Sequence, residues 1–220
     1  MKNRLVYGVG INDADYKVNI STTVGYTLEG KQIQKVIWKC PYYKVWSDML
    51  RRCCSEDFKK QNIVYADVEV CDEWLRFSSF RNWSANRYAD GMQLDKDILT
   101  RGNRLYSPQT CCYVPNYVNT IILTCSRRSN MLIGATYKKS RARYSTPYVA
   151  TSSINGHIGC FSTAEEAHRA WQVDRIQSIE SVIERYRKDT YLLTEVEDAL
   201  ILRVDMLKRD IKLGLTTEYL

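Results

Sequence analysis

The stretch Met131–Gln177, MLIGATYKKSRARYSTPYVATSSINGHIGCFSTAEEAHRAWQVDRIQ, decides the architecture of the C-terminal half. Gly134 sits among β-type residues, the run Tyr148-Val149-Ala150-Thr151 favours a second strand, and Asn155-Gly156 is a strong short hairpin signal. Thr163-Ala164-Glu165-Glu166 then opens a helix: the Thr163 hydroxyl can accept from the Glu166 amide while the Glu166 side chain reaches back to the Thr163 amide. The reading is three short strands followed by a helix. Between Arg127 and Arg143 the only charged residues are Arg127, Arg128, Lys138, Lys139, Arg141 and Arg143, all basic. A small curved sheet with a cationic face suits duplex DNA.

Working outward, the helix from Thr163 continues to about Arg185, with Ala167, Ala170, Trp171, Ile176, Ile179 and Ile183 on its apolar side. Glu165, Glu166, Arg169 and Arg175 are expected on the solvated side. After a break near Lys188-Asp189-Thr190, Val196, Leu200, Val204, Leu207 and Ile211 form the stripe of a last helix, and Gly214 stops it. That stripe is expected to cover the core, with a dimer contact as the alternative.

Upstream, Gln93-Leu94-Asp95-Lys96-Asp97-Ile98-Leu99 reads as a strand, with a loop through Gly102-Asn103, a short strand within Tyr106–Pro115, and a helix opened by Pro115 over Asn116–Leu123. A strand–strand–helix unit of this size can hold one divalent cation between a carboxylate ending its first strand and a side-chain oxygen on its helix. Asp95 and Asn119 stand at those places and offer the hard oxygens that magnesium prefers. Asp before a loop is equally a turn former, and Asn119 could be a local cap. The first eighty or so residues read as scaffold. They comprise an irregular or hairpin-like entry from Tyr7 to Tyr26 with a turn at Gly30-Lys31, a helix from Pro41 carrying Val45, Trp46, Met49 and Leu50, a strand over Val64–Val70, and a helix with Trp74, Leu75, Phe77, Phe80 and Trp83.

The 220 residues have net charge +7 and a pI near 8.9, a balance that favours polyanionic partners. No run of about 18 apolar residues exists, so the chain is expected to be soluble, in the cytoplasm of a bacterial host cell. The eight cysteines include two adjacent pairs and no Cys-x-x-Cys, a pattern expected of reduced, mostly buried thiols.

Residues 131–177 resemble the Apetala/ethylene-response-factor DNA-binding domain, which also occurs in phage and bacterial homing endonucleases. The resemblance rests on Gly134-Ala135, Tyr137, Tyr148-Val149-Ala150, Asn155-Gly156, the segment Ile158-Gly159-Cys160-Phe161-Ser162-Thr163-Ala164-Glu165-Glu166-Ala167, and Ala170-Trp171. It implies a three-stranded sheet in the major groove with the helix behind it. Lys138, Lys139, Arg141, Arg143, Tyr148 and His157 are then the DNA contacts, with Arg127 and Arg128 adding to the basic stretch.

Residues 40–123 resemble phage H-N-H-type endonucleases through CPYYKVWSDMLRRC, VCDEWLRFSSF and LDKDILTRGNRLYSPQTCCYVP followed by Asn119. This implies a catalytic set of Asp95, Lys96 and Asn119, with one Mg2+ (or Mn2+) on Asp95 and Asn119 and double-stranded DNA as partner. Lys96 stands where many relatives carry the histidine base, and Thr110 is nearest the place of the central asparagine. To serve as a base, a lysine must lose about three units from its usual pKa of about 10.4, through burial or neighbouring cations.

The expected fold class is α+β. An H-N-H-like ββα unit on a helical scaffold occupies residues 1–126, a three-stranded antiparallel sheet plus helix 127–188, and a C-terminal helix 189–220. The expected function is DNA phosphodiester hydrolysis; the alternatives are a non-catalytic DNA-binding regulator, or a binding protein whose basic face takes RNA or an acidic protein.

Overall fold

The computed structural model describes residues 5–122, 131–141 and 143–220. Among them the protein is α+β, with six α-helices and four small sheets. The chain divides into two compact units, residues 1–113 and 114–220.

The first unit begins with a long ribbon, β1 (Asn19–Tyr26) paired antiparallel with β2 (Gln32–Lys39). Gly30 turns it at φ +77°, as the Gly30-Lys31 signal predicts. Then come α1 (Pro41–Cys54), α2 (Glu56–Gln61), β3 (Glu69–Val70), α3 (Phe77–Ser84), β4 (Met92–Asp95), β5 (Leu105–Tyr106) and β6 (Cys112–Pro115). The expected strand over Val64–Val70 shrinks to β3, preceded by a 3-10 turn at Ile63–Tyr65. β3 pairs with β5 alone and forms a two-residue parallel sheet that extends no further. β4 pairs instead with β6, so the intervening β5 does not belong to the same sheet.

α1 buries Trp46, Met49 and Leu50 against Trp74, Phe77 and Phe80. Within this apolar volume the Trp46 indole N–H still finds an acceptor, the Trp74 carbonyl at 2.7 Å. A buried indole donor left unpaired would cost about 1–3 kcal/mol.

The second unit contains α4 (Asn116–Ile122), β7 (Ala135–Tyr137), β8 (Tyr148–Ser152), β9 (Gly156–Phe161), α5 (Ala164–Tyr186) and α6 (Thr194–Leu213). β7, β8 and β9 form one antiparallel sheet in chain order. The β8–β9 hairpin forms as Asn155-Gly156 predicts, through the loop Ser153-Ile154-Asn155 with Gly156 at φ +75° opening β9. Small side chains, Ala135, Ala150 and Ala167, let α5 lie close on the sheet.

The capping box at Thr163 forms in full. The Thr163 hydroxyl accepts from the Glu166 amide at 3.1 Å, and the Glu166 carboxylate accepts from the Thr163 amide at 3.2 Å. Thr163→Ala is therefore expected to lower unfolding free energy by about 1 kcal/mol in urea titrations. An unchanged midpoint would show that packing alone starts the helix.

Arg175 is not on a solvated side: it is 1% exposed and its guanidinium donates to the Ile121 carbonyl. The reason is that α5 has the sheet, α4 and α6 around it, and Arg175 shares the inward helix face of Ala167 and Trp171, lining a cavity with Thr151 and Ser152 of β8. His168 is also interior, stacked on Trp171, with Nδ1 2.8 Å from the Ile133 carbonyl and Nε2 accepting the Thr217 amide. Burial lowers its pKa and favours the neutral ring. α6 packs along α5 through Val196, Leu200, Val204 and Leu207, as its stripe predicts. Gly214 ends it in the left-handed conformation.

Candidate functional site

Asp95 is the last residue of β4 and is 6% exposed. Its Oδ1 accepts the amides of Asp97 and Ile98 at 2.9 and 2.7 Å, which turns the chain sharply out of the strand. The sequence expectation of a strand continuing towards Leu99 fails here, because the side chain takes the amides a sheet partner would use. Burial, and secondarily the charge of Asp97, push the Asp95 carboxyl up to about 6, against the pull of the two amides. A hydrogen bond to Asp97 in the protonated state adds to the rise.

Lys96 is 7% exposed. Its Nζ donates to Asp97 Oδ2 at 2.8 Å and to the Asn103 carbonyl at 3.1 Å. This is the setting of an ion-paired ammonium that clamps a loop.

Asn103 is the residue that sequence reasoning passed over. Its Nδ2 donates to the carbonyls of Lys96 and Leu105, each at 2.7 Å, and thus ties the two ends of the loop together. The Gly102-Asn103 pair looked like loop punctuation, but one amide bonded across seven residues makes it the brace of the site. Thr110 donates to the same Leu105 carbonyl at 2.7 Å and lies 2.9 Å from the Ser107 hydroxyl. Tyr106 places its ring 6.0 Å from Lys96 Nζ, while its hydroxyl accepts from Arg52 of α1 at 3.3 Å.

The first unit thus gathers two carboxylates, one lysine and a braced loop. Asp95 and Asp97 lie close enough to share a proton, and a hard cation could take that proton's place. Asn119 lies on α4 in the second unit. Its Oδ1 is buried and accepts no hydrogen bond among the described residues, which leaves an oxygen of the right chemistry open.

In the second unit the strand register sorts the sheet's two faces. Ala135, Tyr148, Ala150 and Phe161 share the side that packs on Ala167 of α5. Thr136, Val149, Thr151, His157 and Cys160 therefore face away from the helix. Tyr148 does not reach the outward face where the groove contacts were expected; it packs against the alanine cluster and meets Tyr137 edge to face at 5.4 Å. The phase of β8 decides this, since Ala150 must point inward and Tyr148 is two residues before it. His157 does lie outward and is exposed, with Nε2 3.9 Å from Cys160 Sγ.

Lys138, Lys139, Arg141 and Arg143 are all exposed and line the connection from β7 to β8. Its turns are held by Arg141 N–H to the Lys138 carbonyl and Tyr144 N–H to the Arg141 carbonyl. The Arg143 guanidinium lies 5.0 Å from the Tyr144 ring. No acidic residue occurs in the three strands or in that connection, so the four cations have no acidic neighbour within that stretch of chain. Arg127 and Arg128 lie outside the described residues.

No protein-family model matches the chain, nor does any curated protein or solved structure. Among the described residues, no helix is long and apolar enough to cross a membrane.

Proposed function

We propose that the protein binds double-stranded DNA through the sheet of its second unit and hydrolyses a DNA phosphodiester with one Mg2+ or Mn2+, in the manner of an H-N-H-type homing endonuclease. The observation that carries the binding half is the acid-free β7–β8 connection with four exposed cations, Lys138, Lys139, Arg141 and Arg143, beside a sheet face that exposes Thr136, Thr151 and His157. Phosphate contacts from these cations supply affinity and position, and Thr136, Thr151 and His157 are available to base edges.

For the chemical half, Asp95 is the carboxylate ligand. An Asn119→Ala variant tests separately whether the open amide oxygen on α4 takes part. The bound cation would polarise the phosphodiester as a Lewis acid. Asn103 and the Lys96–Asp97 pair hold the loop that presents Asp95. The tie of Lys96 to Asp97 also favours a second reading, a DNA-binding regulator whose site has lost its base. Metal-dependent cleavage separates the two.

The binding half is tested by titrating duplex DNA at several salt concentrations. The Arg141→Ala/Arg143→Ala protein is expected to bind with a slope of log affinity against log salt reduced by about two. An unchanged slope would place the DNA surface elsewhere.

A further inference from the structure

After the left-handed Gly214 the chain returns across the second unit as a strap, Leu215–Leu220, that belongs to no helix or strand. Two of its residues are buried, Thr217 at 3% and Leu220 at 5% exposure, and the rest lie in water.

The bonds that seat Thr217 converge from both long helices. Its hydroxyl donates to Asp210 Oδ2 of α6 at 2.8 Å and accepts from Gln172 Nε2 of α5 at 2.9 Å. The same Gln172 amide reaches the Leu215 carbonyl at 3.3 Å. The Thr217 backbone amide donates to Nε2 of His168 at 3.0 Å. A carbonyl can only accept, so Nδ1 of that ring, 2.8 Å from the Ile133 carbonyl, carries the proton and Nε2 carries none. Both ring nitrogens are thus committed, and the bonding pattern admits the neutral ring alone.

We propose that this arrangement is an acid-opened latch: protonation of His168 releases the strap Leu215–Leu220 from α5 and α6. A proton added at Nε2 faces the Thr217 N–H, and two donors then meet where an acceptor is needed. Of the two, the strap gives way. The ring is fixed on α5, stacked on Trp171 and bonded to the sheet side at Ile133, whereas the strap is a short irregular segment with two buried residues. The charged groups that act on the ring are Arg169 of α5, which opposes a second positive charge, and Asp210 of α6, which favours one. Asp210 is itself paired with Arg209, at 3.1 Å. Met131–Ile133 and Leu215–Thr217 bring no titratable group to the ring. Burial is the largest influence and favours the neutral form, so the closed protein holds fewer protons than the opened one. The latch is therefore shut above about pH 6.5, the ordinary histidine value, and its hold weakens as pH falls below it.

Amide exchange in the full chain, without DNA or metal, tests this when followed residue by residue by NMR and corrected for the intrinsic chemical rate. Protection of the Thr217 amide is expected to fall about tenfold for each pH unit below about 6.5, with protection in α5 and β8 retained. His168→Gln, which cannot titrate, is expected to lose that slope. Thr217→Val keeps the ring and the backbone amide but strips the hydroxyl from Asp210 and Gln172. It is expected to open at least about tenfold more at every pH, with the slope unchanged. Imidazole resonances in the same samples report when the ring takes up its proton. The proposal is overturned by protection of Thr217 that does not depend on pH, by a slope that persists in His168→Gln, or by equal opening in Thr217→Val and the natural protein. It is overturned too if the ring is protonated while the Thr217 amide stays protected, or if α5 and β8 lose protection together with the strap, which is acid unfolding of the unit.

Discussion

Replacing Asp95 by asparagine is expected to reduce metal-dependent cleavage of duplex DNA by at least about a thousandfold, with affinity for the same duplex unchanged within a few-fold. Asparagine is the informative substitution because its amide oxygen can still accept from the Asp97 and Ile98 amides, so the turn out of β4 survives. Alanine would strand those two donors, one of them buried, at about 1–3 kcal/mol each, and would confuse loss of fold with loss of chemistry. Mn2+ binding, followed by calorimetry, should disappear with the carboxylate. If Asp95→Asn cleaves and binds Mn2+ as the natural protein does, the chemistry is not at Asp95.

The same carboxyl sets a pH dependence whose sign follows from its burial. Its folded pKa, about 6, lies above that of an unfolded aspartate, so the folded protein binds more protons between roughly pH 4 and 6. Without metal, Asp95 therefore contributes a loss of stability as pH rises through that window, and Asp95→Asn should flatten it. A cation must displace the proton, so Mn2+ affinity should rise about tenfold per pH unit below 6 and level off above. An affinity equal at pH 5 and 7 would mean that the ligand is another group.

Gly134→Ala is expected to destabilise the second unit by at least about 3 kcal/mol and to abolish duplex binding with it. Two costs coincide at this residue. Its φ of +76° is a left-handed conformation that a side chain opposes by roughly 1–2 kcal/mol. An added Cβ would also lie 2.1 Å from Cγ and 2.3 Å from Cδ1 of Trp171, whose indole is held between the sheet and the stacked His168. Urea unfolding followed by tryptophan fluorescence checks the loss. In a double-mutant cycle with Trp171→Ala, the two changes should cost less together than the sum of each alone, since removing the indole removes the overlap. Strict additivity, or an unchanged midpoint for Gly134→Ala, would show that the close approach does not matter to folding.

What the residues revealed by themselves concerns interactions closed within a few positions. Thr163 and Glu166 are three apart, Asn155 and Gly156 adjacent, and the 3.6-residue spacing of Val196, Leu200, Val204 and Leu207 needs no knowledge of a partner. For those, chain geometry alone brings the groups together, and the elements came out where the patterns put them. The turn at Asp95 is equally local, made with residues two and three positions on, although the residue pattern alone carries the strand on towards Leu99.

The tertiary structure decided what depends on distant neighbours. Arg175 is interior because Ile121, 54 positions earlier, offers its carbonyl. His168 is a core residue because Thr217, 49 positions later, donates to it. Tyr148 turns towards α5 because the sheet's phase is set by Ala150 against Ala167. At the candidate site, Lys96 became a clamp and Asn103 its brace once the loop folded back over seven residues. A polar side chain in the sequence carries no record of whether water or a distant carbonyl will satisfy it. That choice is made only when desolvation by packing raises the cost of leaving it unpaired.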